Sequence, residues 1–525
     1  MGTGKPRILV PLFHLKFLDR ICRLQCRNFK WAAPGLNKVT VAISALLLGP
    51  ALSGCILGTE RPDLNLDVPA AYREGGHNAP DAHLPAVDWW HGFRSGELIS
   101  LMDAAQIYNL DIAVAIAQIA QADAQVGVSG APLFPSITAT GNAEQSQTSS
   151  NVAGGGGGAG FSGGGATFSQ YSLGLTASYM IDFWGKNRAT LHAAEETATA
   201  SRYNREVVTL TTIVTVANTY FQVLAAQDEL RVARRNLAAA EDILGTIKKQ
   251  KTGGTASQID VSQQETLVAT ERAAIPPIEI TLRQNITALA VLVGRAPANF
   301  KVTGGTLAQI AVPRVTPGMP SELLNQRPDV RQAEAQLASS SFSVESARAA
   351  FFPQIQLTAQ GGLESAALAS LFGPGAWFYT LSAGLTQPLF DGFLLESQLK
   401  QAKGVQLQNL QAYRKAVLSA FSDVEKALVA LSQTIRQERL QIEAVAASRE
   451  AFRLIKLQLE GGTVNLVTLL QAEQTLLTNE NTLVQVRLNK LLAASSLFQA
   501  LGGGWTPTGQ LSSLQPQDGA VQPAQ

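Results

Sequence analysis

Cysteine is all but missing from this 525-residue chain, which has three, at positions 22, 26 and 55. A disulfide framework is therefore excluded as the source of its stability. Charge is scarce as well: Asp, Glu, Lys and Arg make up 15% of the residues, with a net charge of +1, where soluble domains usually carry roughly 25% charged residues. That balance excludes a nucleic-acid binder. No apolar run reaches the roughly 20 residues of a membrane-spanning helix. The five histidines stand at 14, 77, 83, 91 and 192, and the spacings within 77, 83 and 91 fit neither a helix face nor a compact metal loop. A G-x-S-x-G, an H-E-x-x-H and a complete phosphate loop are all lacking, so neither an enzyme nor a cofactor is expected.

What is present begins with a leader. Residues 1–54 hold eight Lys or Arg against one acid, leaving 33 against 39, a net charge of −6, in the remainder. An apolar stretch at 39–52 follows Lys38 and ends in Leu52-Ser53-Gly54-Cys55. This is a secretory leader closed by a sequence that resembles the lipobox of bacterial lipoproteins, in which the cysteine thiol is diacylated before cleavage. Cys55 is the expected lipidation site. Cys22 and Cys26 fall upstream of the cleavage point, so the mature chain keeps one cysteine. Ile56 follows it in place of the acid that often retains lipoproteins in the inner membrane, which favours the outer membrane.

The rest of the chain is written twice. Ala131-Pro132-Leu133-Phe134-Pro135-Ser136-Ile137 is echoed by Ala349-Ala350-Phe351-Phe352-Pro353-Gln354-Ile355 at an offset of 218. Thr252-Gly253-Gly254-Thr255 is echoed by Glu460-Gly461-Gly462-Thr463, and Leu292-Val293-Gly294 by Ala500-Leu501-Gly502, both at an offset of 208. The difference is taken up by a Gly/Ser tract in the first copy, read as a flexible loop. The expected organisation is a leader at 1–54, a lipid-anchored segment at 55–97, a first repeat at 98–312, a second at 313–505 and a tail at 506–525.

Each copy has two strands and long helices. Tyr171, Leu173, Leu175, Ala177, Tyr179 and Ile181 alternate with Ser172, Gly174, Thr176, Ser178 and Met180, a period of two that gives a strand one apolar and one polar face. Ile137 and Ala139 begin a partner strand; Ile355, Leu357, Ala359 and Gly361, and then Tyr379, Leu381, Ala383 and Leu385, repeat the pattern. Proline is missing between Pro135 and Pro276 and between Pro388 and Pro507, which permits helices of about 60 residues over 184–250 and 394–459, each about 90 Å long. Leu410, Tyr413, Val417, Phe421, Val424, Leu428, Leu431 and Ile435 form an apolar stripe along the second. The opposite faces carry Gln, Ser and Asn rather than dense Lys and Glu, as suits the wall of a wet lumen better than a coiled coil in bulk water.

Strands of about ten residues with two unlike faces have the length and pattern of transmembrane β-strands. In lipid every backbone group must be paired, so they have to close into a barrel. Four strands are too few, and a symmetric ring of three chains supplies twelve. The expected fold class is an α+β membrane protein, a trimeric β-barrel continuous with a long α-helical barrel and built by internal duplication. The competing reading is a lipid-anchored helical adhesin or scaffold without a pore.

The order of these features resembles the TolC-like outer membrane factors, in particular the lipoprotein (NodT-type) subfamily of efflux channels. The resemblance rests on Ile181-Asp182-Phe183-Trp184-Gly185-Lys186, on Pro320-Ser321-Glu322-Leu323-Leu324 with Arg327-Pro328-Asp329-Val330 and Ala333-Glu334, and on Phe352-Pro353. Pro388-Leu389-Phe390-Asp391-Gly392 and Leu501-Gly502-Gly503-Gly504-Trp505 complete it. It implies a homotrimer in outer-membrane lipid that works with a periplasmic adaptor and an inner-membrane pump, expected to be of the RND type, and exports drugs or other small molecules. Gly253, Gly254 and Thr255, with Gly461, Gly462 and Thr463, match the hairpin tips where the adaptor docks, and glycine there supplies the positive φ of a helix reversal. Where the family places acids around the periplasmic aperture, this chain has Thr468 and Gln471; Asp260, the repeat equivalent of Thr468, is the alternative source of a cation-favouring ring. Arg327, Asp329 and Glu334 are expected to form a structural charged cluster, and Asp182 and Asp391 to cap helices.

Overall fold

The computed structural model describes residues 63–64, 69, 72–73, 88–147, 167–313 and 320–503. Cys22, Cys26, Cys55, His14, His77, His83, the Gly/Ser tract, Gly504 and Trp505 lie outside the described residues. All the elements below belong to the unit spanning residues 59–525. After a short 3-10 turn at Trp89–Phe93 the order is α1 (Gly96–Tyr108), α2 (Leu110–Gly130), β1 (Ser136–Gln147), β2 (Thr167–Ile181), α3 (Lys186–Thr252) and α4 (Gln258–Leu292). The second copy follows as α5 (Pro320–Gln326), α6 (Pro328–Ala349), β3 (Gln354–Ser365), β4 (Trp377–Thr386), α7 (Leu394–Glu460) and α8 (Leu466–Ala500).

The four strands form one antiparallel meander in the order β1-β2-β3-β4. Its register keeps the two faces apart across all three pairings. Ala139 lies opposite Leu175, Tyr179 opposite Leu357 and Ala359 opposite Leu381 on one face, while Thr138 lies opposite Thr176, Ser178 opposite Thr358 and Gln360 opposite Thr380 on the other. A slip of one residue in any pair would mix them.

Strand gives way to helix through side chains already conspicuous in the sequence. Trp184 donates its indole N–H to the Pro353 carbonyl at 2.8 Å and stacks on Phe352, which ties the end of β2 to the start of β3. Asp182 accepts from the backbone N–H groups of Asn187 and Arg188, and Asp391 from those of Leu394 and Leu395. Both aspartates thus satisfy donors that the first helical turn leaves free.

Helices α3 and α7 each run 67 residues and α4 and α8 each run 35. Pro276 and Pro277 sit inside α4 without ending it. Both are exposed, as are residues 272 and 273, whose carbonyls lose a helical partner there and are solvated instead. Around the middle of the long helices, Phe93, Met102, Phe221, Leu289, Leu491 and Phe498 form one core; Leu323, Val330, Tyr413, Val417 and Leu497 form a second. The α7 stripe is buried from Leu410 to Val424, is partly buried at Leu428 and Leu431, and ends with Ile435 half exposed on the single chain. A third core, of Ile243, Ile247, Val261, Leu466 and Leu469, joins the far ends of the two hairpins.

The charged cluster differs from the expected one in a single member. Arg327, 11% exposed, holds Asp329 at 2.7 Å, Asp423 of α7 at 3.2 Å and the Ala500 carbonyl at 3.3 Å. Glu334 turns instead to Arg331, three residues away on its own helix. Arg327 therefore joins the start of α6 to α7 and the end of α8. Truncation leaves Asp329 and Asp423, both partly exposed, to water and frees the Ala500 carbonyl, so Arg327→Ala is expected to cost about 1–2 kcal/mol. Arg327→Lys should keep part of it, as denaturant unfolding followed by helical circular dichroism will measure.

Candidate functional site

Two surfaces carry the functional question: the polar face of the sheet and the paired hairpin ends. The sheet's polar face presents Ser136, Thr138, Thr176, Ser178, Gln356, Thr358, Gln360, Thr380 and Ser382, with Glu144 and Glu364 at one end, where Gln170 donates to Glu364. The opposite face leaves Ile137, Leu175, Leu381 and Leu385 between 58% and 74% exposed on a single chain. An apolar band that wide on exposed strands needs lipid against it.

The two hairpin ends are built alike. The Thr255 N–H reaches back to the Gln250 carbonyl at 2.9 Å and the Thr463 N–H to the Gln458 carbonyl at 2.9 Å, closing each long helix. Only the second glycine of each pair takes a positive φ, +79° at Gly254 and +73° at Gly462. Gly253 and Gly461 keep helical angles, near −80° in φ, so the requirement for glycine expected at both positions holds at one. The return helices start on matching caps. Ser257 accepts from the Asp260 N–H while the Asp260 carboxylate accepts from the Ser257 backbone and hydroxyl, and Asn465 accepts from the Thr468 N–H and hydroxyl.

The three expected aperture residues are not brought to one place. Asp260 lines a groove of about 440 Å³ between the tips, beside Thr255, Gly461, Gly462 and Asn465. Gln471 lines a separate cleft between α4 and α8, opposite Gln263 and Thr266. Thr468 is engaged by Asn465. Asp260 closes a capping box, which fixes its carboxylate whatever charge it adds to an opening.

Charged groups that the sequence did not single out sit between the hairpin helices, and one of them links the two hairpins. Glu480, 4% exposed, accepts from Arg449 of α7 at 2.6 Å and from Arg235 of α3. Glu438 of α7 holds Arg487 and Lys490 of α8 at 3.1 and 2.5 Å. Glu473, 7% exposed, has neither carboxylate oxygen in a hydrogen bond to any of the described residues. Overlaying charged positions of the two copies at the 208-residue offset would have drawn attention to Glu473 and Glu480.

A two-faced meander that must close with other chains, on helical hairpins with twin tips, matches one family. The sequence model described as "Outer membrane efflux protein" fits residues 101–295 and 319–503. This chain belongs to that family. The efflux protein is 35% identical to the pyoverdine export outer membrane protein OpmQ of Pseudomonas aeruginosa over 476 residues, covering 90% of this chain and 97% of OpmQ. It is 29% identical to the probable outer membrane lipoprotein SilC of Salmonella typhimurium, covering 79% and 88%. Among solved structures, the open state of the Neisseria gonorrhoeae MtrE outer membrane channel is 28% identical with a TM-score of 0.74, covering 85% of this chain and 97% of MtrE. The outer-membrane channel OprN shares the fold at 23% identity, with a TM-score of 0.78 over 86% of this chain and all of OprN.

The efflux protein is thus the outer-membrane channel of an export system, and its helices reach into the periplasm of a Gram-negative cell. Three chains supply twelve strands, with the apolar face against lipid and the polar face toward the lumen. The scaffold reading falls, because the family is one of channels. Such channels receive their cargo from an inner-membrane pump through an adaptor, and the family is one of transport components rather than enzymes.

Proposed function

We propose that this channel passes small molecules handed over at its periplasmic tips, where the adaptor grips Gly253, Gly254 and Thr255 of one hairpin and Gly461, Gly462 and Thr463 of the other. The observation that carries this reading is the twin geometry of the ends: two reversals of the same hydrogen-bond pattern flank an open groove. An RND-type pump completes the assembly, and the passage itself involves no chemistry. Cys55 carries the lipid that anchors the mature chain. Asp260 lines the narrow end, where three copies of it favour cations, while Thr468 and Gln471 lie apart from it along the partner return helix. For the cargo, relatives at 35% and 34% identity bear pyoverdine export in their names and relatives at 29% bear toluene efflux; pyoverdine is the cargo to try first.

The test is site-specific photo-cross-linking in cells, with a photoreactive residue at Thr255 or Thr463 and, as control, at Ser382 in the barrel. Cross-links to the adaptor from both tips but not from Ser382 support the reading; their absence from both tips in cells that still export removes the docking site. Cys55→Ala should leave the protein unable to incorporate radiolabelled palmitate, and labelling that persists would overturn the anchor.

A further inference from the structure

The two hairpins place charged residues at equivalent positions, and comparing them exposes one bridge that has changed hands. In the first hairpin Glu241 of α3 holds Arg272 of α4 at 2.7 Å. In the second the same two positions carry the reversed charges, Arg449 of α7 and Glu480 of α8, and the bridge is kept at 2.6 Å. Nearer the tip Lys248 of α3 meets Glu265 of α4 at 2.8 Å. The equivalent residues of the second hairpin are again lysine and glutamate, Lys456 of α7 and Glu473 of α8. Here the bridge is not made. Lys456 crosses to the other hairpin and holds Asp242 of α3 at 2.9 Å, leaving Glu473 buried with both oxygens unpartnered.

The formed pair in the first copy shows that a lysine at this position reaches a glutamate at the other without any change of backbone. What holds the second copy otherwise is the surroundings of Glu473. Glu271 of α4, also 7% exposed, faces it as a like charge; Lys456 is the cation facing it from α7, and Asp242 with Lys249 nearby are the charged groups on the α3 side. Burial first, and the Glu271 charge second, push the Glu473 carboxyl up to about 7 against the pull of Lys456. Burial raises Glu271 as well, and Lys456 lowers Asp242.

We propose that Lys456 is the moving part of a proton-set switch: with the Glu473 carboxyl protonated it bridges to Asp242 of the first hairpin, and when that proton leaves to solvent it returns to Glu473 within its own hairpin. The direction follows from the groups involved. Asp242 stays ionised across the neutral range, so it holds Lys456 whenever Glu473 is neutral. An ionised Glu473, buried beside Glu271, has no other cation facing it among the described residues. Acidification of the periplasm therefore clamps the two hairpins to each other close to their tips, and a rise through neutral pH releases them. For stability the sign is the same: a carboxyl raised in the folded state stabilises it at low pH, and that contribution is lost as pH climbs through the raised value.

The experiment uses the full-length trimer in detergent and two readouts between about pH 6 and pH 8. Amide hydrogen exchange in peptides covering 242–260 and 448–466, corrected for the intrinsic pH dependence, should rise by at least about threefold in the wild type. In Glu473→Gln it should stay at the low-pH level throughout, and in Asp242→Asn at the high-pH level throughout. Glu265→Gln, which removes the exposed counterpart in the first hairpin, should leave the pH step intact. In infrared difference spectra a protonated-carboxyl band should titrate near neutrality and vanish in Glu473→Gln. A pH step or titrating band that survives Glu473→Gln overturns the switch, as does a step abolished by Glu265→Gln. Should Glu473→Gln fail to form trimers, Lys456→Met decides instead: a flat, high exchange profile supports the switch and a retained step overturns it.

Discussion

Leu381→Arg is expected to abolish trimeric channels in the outer membrane, while Thr380→Arg, one residue away, leaves trimers that conduct differently. Leu381 lies mid-strand in β4, opposite Ala359, and is 74% exposed on the apolar face. An arginine on the lipid face near the bilayer midplane costs about 2–4 kcal/mol per copy, and the trimer bears it three times, about 6–12 kcal/mol in all. That rivals the whole stability of many folded proteins. Thr380 pairs with Gln360 on the polar face, where an added arginine meets water. Three new cations around the lumen should shift the reversal potential under a salt gradient toward anion preference. Membrane fractionation with semi-native gel electrophoresis reads the first variant and planar-bilayer recording the second. Equal tolerance of both substitutions would mean that the faces are not divided between lipid and water.

Gly362→Ala should weaken the barrel about as severely. Gly362 of β3 lies directly opposite Gly174 of β2, and a Cβ on it would stand 2.3 Å from the Leu173 carbonyl oxygen and 2.6 Å from the Gly174 Cα. Those are backbone atoms that cannot swing aside, so the two strands must part. Overpacking of that kind costs up to about 3 kcal/mol per chain, or about 9 kcal/mol per trimer. Gly384, on the same face of β4, has nothing within 4 Å of where its Cβ would be. The temperature at which trimers dissociate in detergent should fall sharply for Gly362→Ala and hold for Gly384→Ala. A similar fall in both would point to loss of flexibility rather than to the close approach.

The difference between these two glycines marks where sequence reading runs out. Alternation in 171–181 and 377–386 fixes which residues share a face, because a strand's period of two leaves no freedom. It does not say which glycine abuts a neighbouring backbone, since that depends on register across strands almost 190 residues apart. The long helices are legible for a similar reason: proline-free length with a 3.6-residue stripe admits few alternatives. Pro276 and Pro277 look like a boundary and are not one, because an exposed face tolerates the missing donors. Asp182 and Asp391 were readable as caps from their place between strand and helix. The partner of Glu334 was not, because Arg327 found a better carboxylate in Asp423, brought near only by the fold. Asp260, Thr468 and Gln471 occupy equivalent or adjacent turns in sequence, yet a groove, a cap and a cleft separate them. Glu473 was hidden for a simpler reason: a glutamate among glutamines on an amphipathic helix looks solvated until the neighbouring hairpin covers it.

The matched lengths of the hairpin helices, 67 and 35 residues in both copies, constrain how such a chain can change its reach. Inserting one turn into a single copy would leave its tip about 5.4 Å below the other. It would also rotate every later side chain relative to its partner unless the insertion keeps the periodicity. Growth or shortening of this channel must therefore proceed by paired edits, one in each arm of both hairpins. The duplicated gene is bound to stay synchronised in length long after its two halves have diverged in charge.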